Sequence, residues 1–183
     1  MLKQGDRITN ARTGQILIFL KTGKEMNGKL LQIECISPPR SLDEPEHIHP
    51  FQQNSFEIVS GILDFSIDGD QRIAEPGEVV IIPPNVPHFF RNAGKTEAQF
   101  IQEFKPALHI DSFFETSFAL SRDGKLNKKG IPNLIHGSLI MLKYKNEIRV
   151  TNLPWVIQYL IYLALSPVGK LMGYSADYGL KTQ

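Results

Sequence analysis

Apolar and polar residues alternate through the first half of the chain with a period of two, the spacing of a strand that buries one face. In KLLQIECIS, Leu31, Ile33 and Cys35 alternate with Gln32 and Glu34. GQILIFLK, EHIHP, SFEIVSG, GILDFSID, EVVIIP, HFFRN and EAQFIQEF read as further short strands. Turn chemistry separates them. Asp68-Gly69 in SIDGDQ is a hairpin signal, EPGE and PPNVP place Pro and Gly where the backbone needs a fixed or positive φ, and RNAGKT is another tight connection. Strands this short, joined this closely, form a barrel or a two-sheet sandwich.

The period changes to a helical one after Pro106. Ser112-x-x-Glu115 reads as a capping box opening DSFFETSFALS, with Phe113, Phe114 and Phe118 facing inward. A second helix is expected from Pro132 to about Lys143. Asn152-Leu-Pro154 is read as the cap and first turn of a third, PWVIQYLIYLAL, ending before Ser166-Pro167. That last helix is apolar nearly all round, so it is expected to be buried on the β domain or on a partner subunit. The expected division is a β-barrel over 1–108 and a helical extension over 109–183.

Composition narrows the class without changing this picture. The 183 residues are 42% hydrophobic and 21% charged with a net charge of +1, which suits a globular chain and offers nothing to steer it to nucleic acid. The one cysteine, Cys35, cannot pair within the chain and sits in a strand pattern, which fits a reducing compartment. The N-terminus has no apolar signal segment, and the longest apolar run, Leu153 to Val168, is too short and too interrupted to span a membrane. A cytoplasmic location is expected. No nucleophile elbow or phosphate-binding loop is present, so serine hydrolase and NTPase chemistry have no support.

The candidate chemistry lies in histidines. His47 and His49, two apart in a strand, project from the same face, and neighbouring imidazoles that can both charge repel unless they share a partner such as a metal. His88 arrives from another hairpin behind the rigid turn PPNVP. Three neutral imidazoles suit Fe, Mn, Ni, Cu or Zn, with the preference set by the fourth ligand. Gln102 and Glu103 occupy opposite parities of one strand, so one of them faces inward, and an inward Glu103 would be a candidate general base. Phe56, Ile58, Phe65, Phe90 and Phe100, with Gln102, would make an apolar pocket for a small organic ligand. His109 and His136, each alone in the helical region, are read as structural.

His47-Ile-His49, four residues, Asn54, six residues and Gly61 resemble the first motif of the cupin superfamily, H-x-H-x(3,4)-E-x(6)-G. Gly77-EVVII-Pro83-Pro-Asn85-Val-Pro-His88-FFR-Asn92 resembles the second, G-x(5)-P-x-G-x(2)-H-x(3)-N, complete in spacing with Asn85 replacing the middle glycine. Asn tolerates positive φ better than other residues with a side chain, so the turn can survive.

The resemblance covers about Gly28 to Pro106. It implies a mainly β, jelly-roll barrel, often a homodimer, with a metal held by His47, His49 and His88. The family's glutamate position falls on Asn54, with Gln53 at the alternative spacing and Gln52 close by. Glu57, the nearest carboxylate, has the wrong strand parity. Three-histidine iron sites lacking the carboxylate occur among cupin-type dioxygenases. The expected function is therefore a metal-dependent enzyme acting on a small organic molecule, a dioxygenase first, with isomerase and decarboxylase chemistry open at the same site. A non-catalytic binding or sensing module with weak or absent metal is the alternative.

Overall fold

A computed structural model describes residues 2–39 and 45–179 of the chain. Residue 1 and residues 180–183, at the ends of the two expected divisions, lie outside it. The strands are β1 (Arg7–Thr9), β2 (Ile16–Lys21), β3 (Leu31–Ser37), β4 (His47–Ile48), β5 (Gln53–Ser60), β6 (Leu63–Ile67), β7 (Asp70–Ala74), β8 (Val79–Ile82), β9 (His88–Asn92) and β10 (Ala98–Lys105). Helices α1 (Ile110–Arg122) and α2 (Leu134–Lys143), a short strand β11 (Arg149–Val150) and helix α3 (Trp155–Leu171) follow.

The strands form two antiparallel sheets, ordered β1-β2-β3-β10-β5-β8 and β11-β4-β9-β6-β7. Alternation decides which side chains lie between them. In β3, Leu31, Ile33 and Cys35 are fully buried, while Gln32 and Glu34 are only partly so. Phe56 of one sheet meets Phe65 and Phe90 of the other edge-on, with centroids 5.0 and 4.9 Å apart, and Phe100 meets Phe90 edge-on at 5.5 Å. This is a mainly β jelly roll with C-terminal helices. Among the described residues its two sheets face one another rather than closing through hydrogen bonds into one barrel.

The motif turns behave as their residues require. Asp68 and Gly69 both take positive φ in the β6–β7 hairpin. Asn85, in the glycine position of the second motif, has φ 64°, and its peptide N–H donates to the His49 carbonyl at 2.9 Å. Asn92 closes that motif as a structural residue. Its buried amide donates to the carbonyls of Ser37, Pro38 and Thr96 and accepts from the Gly94 N–H.

Several expected boundaries move. Ser112 does not cap α1, which begins at Ile110 with His109 as its unassisted N-cap. Asn133 caps α2, its side chain accepting from the His136 N–H at 3.0 Å. β1, β7 and β11 have no alternating apolar pattern strong enough to betray them: β7 (DQRIA) is exposed at every position but Ala74.

The largest departure is α3. It has no side-chain cap and runs through Pro167 to Leu171. Its buried face is polar or small (Gln158, Tyr162, Ser166 and Gly169), and this face packs on α2. Gln158 Nε2 donates to the Val150 carbonyl at 2.9 Å, and the Tyr162 hydroxyl donates to Gln158 Oε1 at 3.0 Å. Gly169 lets α2 approach closely, since a side chain there would run into Leu139. These contacts hold the helix past a proline that deprives it of one backbone bond. Val156, Ile157, Leu160, Leu163, Val168 and Leu171 are left exposed.

Candidate metal centre

β4 and β9 are neighbours in the smaller sheet, with His47 directly opposite His88. His49 follows on the same face of the β4 segment. The three rings are buried, with centroids 4.6 Å (His47–His88), 5.1 Å (His47–His49) and 5.4 Å (His49–His88) apart. One ring nitrogen from each falls within a common span of 4.8 Å.

Each ring is oriented by a carbonyl. Nδ1 of His47 bonds to the Pro45 oxygen at 2.9 Å and Nδ1 of His88 to the Val86 oxygen at 2.9 Å. Nδ1 of His49 bonds to the Glu147 oxygen at 2.6 Å. A carbonyl can only accept, so in each ring Nδ1 must carry the proton and Nε2 must carry the lone pair. This is the outer-shell arrangement that fixes tautomer and direction in metal-binding histidines.

The electrostatics favour the same state. Burial, then the neighbouring His88, pushes His47 down to about 3. Burial and its two neighbours hold His49 well below the ordinary histidine range, and burial lowers His88. All three are neutral near pH 7, as ligands must be. His88 Nε2 is buried without a hydrogen-bond partner. A set of neutral, pre-aimed nitrogens with an orphaned lone pair fits a divalent transition metal.

The depressed values carry a consequence. The unfolded chain takes up protons near the ordinary histidine value of 6.5, whereas folded His47 does so only near 3. Between those values the unfolded state binds more protons, so stability falls as pH falls. The metal-free protein should therefore lose melting temperature from pH 7 to pH 5, and His47→Ala should flatten that slope. An equally steep slope in the variant would remove His47 as its source.

The other expected site residues divide. Asn54 is buried, but its Oδ1 already accepts from Gln102 Nε2 at 3.1 Å, while its Nδ2 has no partner. Gln102 also accepts from the Cys35 thiol at 3.5 Å. Gln53 is a correction: it shares the outer strand parity of Ser55 and exposed Glu57, which turns it away from the histidines. Gln52 is fully buried instead. Its Nε2 is held by the Pro106 and Ala107 carbonyls at 2.9 Å, and its oxygen lies beside His49, favouring that ring's charged form without making a well-aligned bond.

Glu103 as a general base is also corrected. It lies on the outer parity of β10, accepting from Gln32 Nε2 at 2.7 Å and pairing with Lys105. Gln102 is the residue that faces in. Of the expected pocket residues, Phe90 and Gln102 line the cavity beside the histidines. Phe56, Ile58, Phe65 and Phe100 are packed core and do not line it. His136 is fixed by the Ser175 carbonyl at 2.8 Å and stacked on Tyr174.

Two contributions have no local signature. β11 pairs with β4, bringing Val150 opposite His47, and Glu147 orients His49 from 98 positions away. A chain ending after Asn146 should bind metal roughly 10- to 100-fold more weakly than one ending after Thr151, the usual cost of a lost outer-shell partner. Both truncations lack α3, so equal zinc affinities would show that the Glu147 carbonyl does not orient His49.

Residues 34–102 match the family model of the cupin domain. A stretch of 73 residues is 32% identical to the polyketide synthase CurC of Streptomyces cyaneus, covering 37% of this chain and 47% of that protein. A stretch of 61 residues is 30% identical to protein SchB of Streptomyces halstedii, covering 33% and 44%. The chain thus spans less than half the length of these curated relatives. Among solved structures, a "predicted oxalate decarboxylase" of Thermotoga maritima superposes with a TM-score of 0.50 at 22% identity, over 58% of this chain and 99% of that one. This likeness is one of fold.

Proposed function

We propose, for a chain that belongs to the cupin superfamily through its residues 34–102, a metal-dependent enzyme acting on a small organic molecule beside His47, His49 and His88. The observation that carries this reading is the convergence of three neutral imidazoles, each with Nδ1 committed to a carbonyl and Nε2 free for a metal. A divalent metal there would supply Lewis acidity and, if iron, manganese, nickel or copper, one-electron chemistry.

His47 and His49 line a cavity of about 680 Å³, and Phe90 and Phe104 help keep water from it. Among the described residues Glu46 is the only carboxylate on the cavity wall. It is exposed and accepts a hydrogen bond from Thr151. Buried Glu147 does not line the cavity, and with no buried carboxylate on that wall among the described residues to move protons, dioxygenation is favoured over isomerisation. The carboxylate-free cluster, with Asn54 turned to Gln102, equally motivates the reading as a ligand-binding or sensing module. Metal content after purification without added metal separates the two. Fe, Mn, Ni, Cu and Zn together well below one per chain would sink the enzyme reading, and oxygen uptake with small phenols or diketones would support it. Cys35, the one cysteine of the sequence, is buried in β3, which suits a cytoplasmic setting.

The outer face of α3 favours a homodimer. Val156, Leu160, Leu163, Pro167 and Leu171 follow one another at steps of three or four along the helix and are exposed, Leu171 by 89% and Leu160 by 60%. With Ile157 and Val168 they expose on the order of 600 Å² of apolar surface, close to the ~800 Å² per partner of a standard interface. A second copy of the same face is the occupant we assign. Leu160→Glu combined with Leu163→Glu should turn a dimer into a monomer in light scattering. A monomeric parent protein, or one that partitions onto lipid vesicles through this face, would overturn the assignment.

A further inference from the structure

We infer that the cavity beside the three histidines takes an aromatic carboxylic acid, its ring body on a phenylalanine wall and its carboxylate on Arg12. The inference rests on reading this cavity as a ligand site and deepens that reading by naming the ligand class. At about 680 Å³ the space matches that used for drug-sized ligands. His47, His49 and Gln102 stand in its wall, and its body is lined by Phe104 from β10 and by Phe113 and Phe114 from α1. Phe114 meets Phe104 edge-on at 5.7 Å and lies tilted against Phe113 at 6.1 Å. A ring entering such a wall finds edges and faces suited to offset or T-shaped contact, which an alkyl chain does not exploit.

Arg12 and Lys129 supply the cations of the same wall. Neither has a carboxylate within ion-pair distance among the described residues. Arg12 is nonetheless held firmly. Its peptide N–H donates to Asn10 Oδ1 and Ser121 Oγ, both at 3.0 Å, and Nη1 donates to the Lys128 carbonyl at 3.3 Å. The guanidinium lies against Gly130, where a Cβ would come within 2.5 Å of Nη2. Glu46, the one carboxylate on the wall among the described residues, acts instead on His88, whose charged form it favours. A fixed, half-buried guanidinium without an anion is a ready partner for a planar carboxylate, which its fork matches with two parallel bonds.

The test uses the chain of residues 1–183, as purified and after metal removal, and two probes of one ring frame, 2-naphthoate and 2-naphthamide, titrated calorimetrically at low salt. Naphthoate should bind about ten-fold tighter, the worth of a charge-assisted hydrogen bond. Arg12→Gln should bring naphthoate to the level of the amide and leave the amide unchanged, while Arg12→Lys keeps part of the preference. Equal affinities in the parent protein, failure of both probes to bind at millimolar concentration, or a preference that survives Arg12→Gln would each overturn the inference. Metal content measured on the same samples keeps the two readings apart. A naphthoate preference that needs metal but not Arg12 overturns the inference and leaves the metal centre standing. An Arg12-dependent preference in a chain that never holds metal does the reverse.

Discussion

His88→Ala is expected to abolish stoichiometric metal binding, lowering affinity by more than the roughly 10- to 100-fold that a lost outer-shell partner costs. The reason is geometric. His88 Nε2 is buried with nothing to bond, and its ring is held by the Val86 carbonyl whether or not a metal is present. His47 stands directly opposite on the neighbouring strand, so removing His88 leaves two nitrogens from one strand segment and no chelating face. The fold should tolerate the change. Burial lowers His88 and the charge of His88 lowers His47, so deleting one imidazole relieves a repulsion that appears on acidification. Metal analysis and melting temperature, read on the same sample, check both halves. Retention of one metal per chain in the variant would place the metal elsewhere.

Gly61→Ala is expected to destabilise the protein by about 3 kcal/mol or more, the sum of left-handed backbone strain and an overpacked contact. Gly61 follows β5 with φ 79°, where a side chain is already unfavourable. A Cβ there would also sit 2.6 Å from the Ala98 Cα and 2.8 Å from the Glu97 carbonyl oxygen. Both contacts are backbone at the start of β10, the strand whose pairing with β5 shifts register between Gln99 and Phe100. Neither can rotate away as a side-chain tip would. Denaturant unfolding measures the loss, and a cost below about 1 kcal/mol would mean that the β10 entry is looser than its contacts imply.

These two residues lie in the motifs, and the motifs are where the chain is easiest to read. An H-x-H pair in a strand must share a face, and a glycine before a hairpin must allow a tight turn. Such constraints act over a few bonds, so they survive in local spacing. Asn85 shows the same logic: its positive φ follows from residue type and turn position. Parity also divided Gln102 from Glu103, although only the structure chose which of them faces inward.

What a single sequence settled here is therefore local: the strand faces, the turns, and the three histidines as a set. The tertiary structure alone decided the rest. It turned the Asn54 oxygen to Gln102, moved Gln53 outward and left Phe56, Ile58, Phe65 and Phe100 as core rather than cavity wall. It brought the Glu147 carbonyl to His49 and Arg12 to the cavity rim across long stretches of chain. It also decided which face of α3 is covered within the chain, burying Gln158, Tyr162 and Ser166 while Leu160 and Leu163 face out. Periodicity reports how apolar a helix face is, but not which neighbour will cover it. A polar face with hydrogen-bond partners in β11 and close-packed small residues on α2 satisfies its buried groups, and that long-range pairing leaves no trace in spacing.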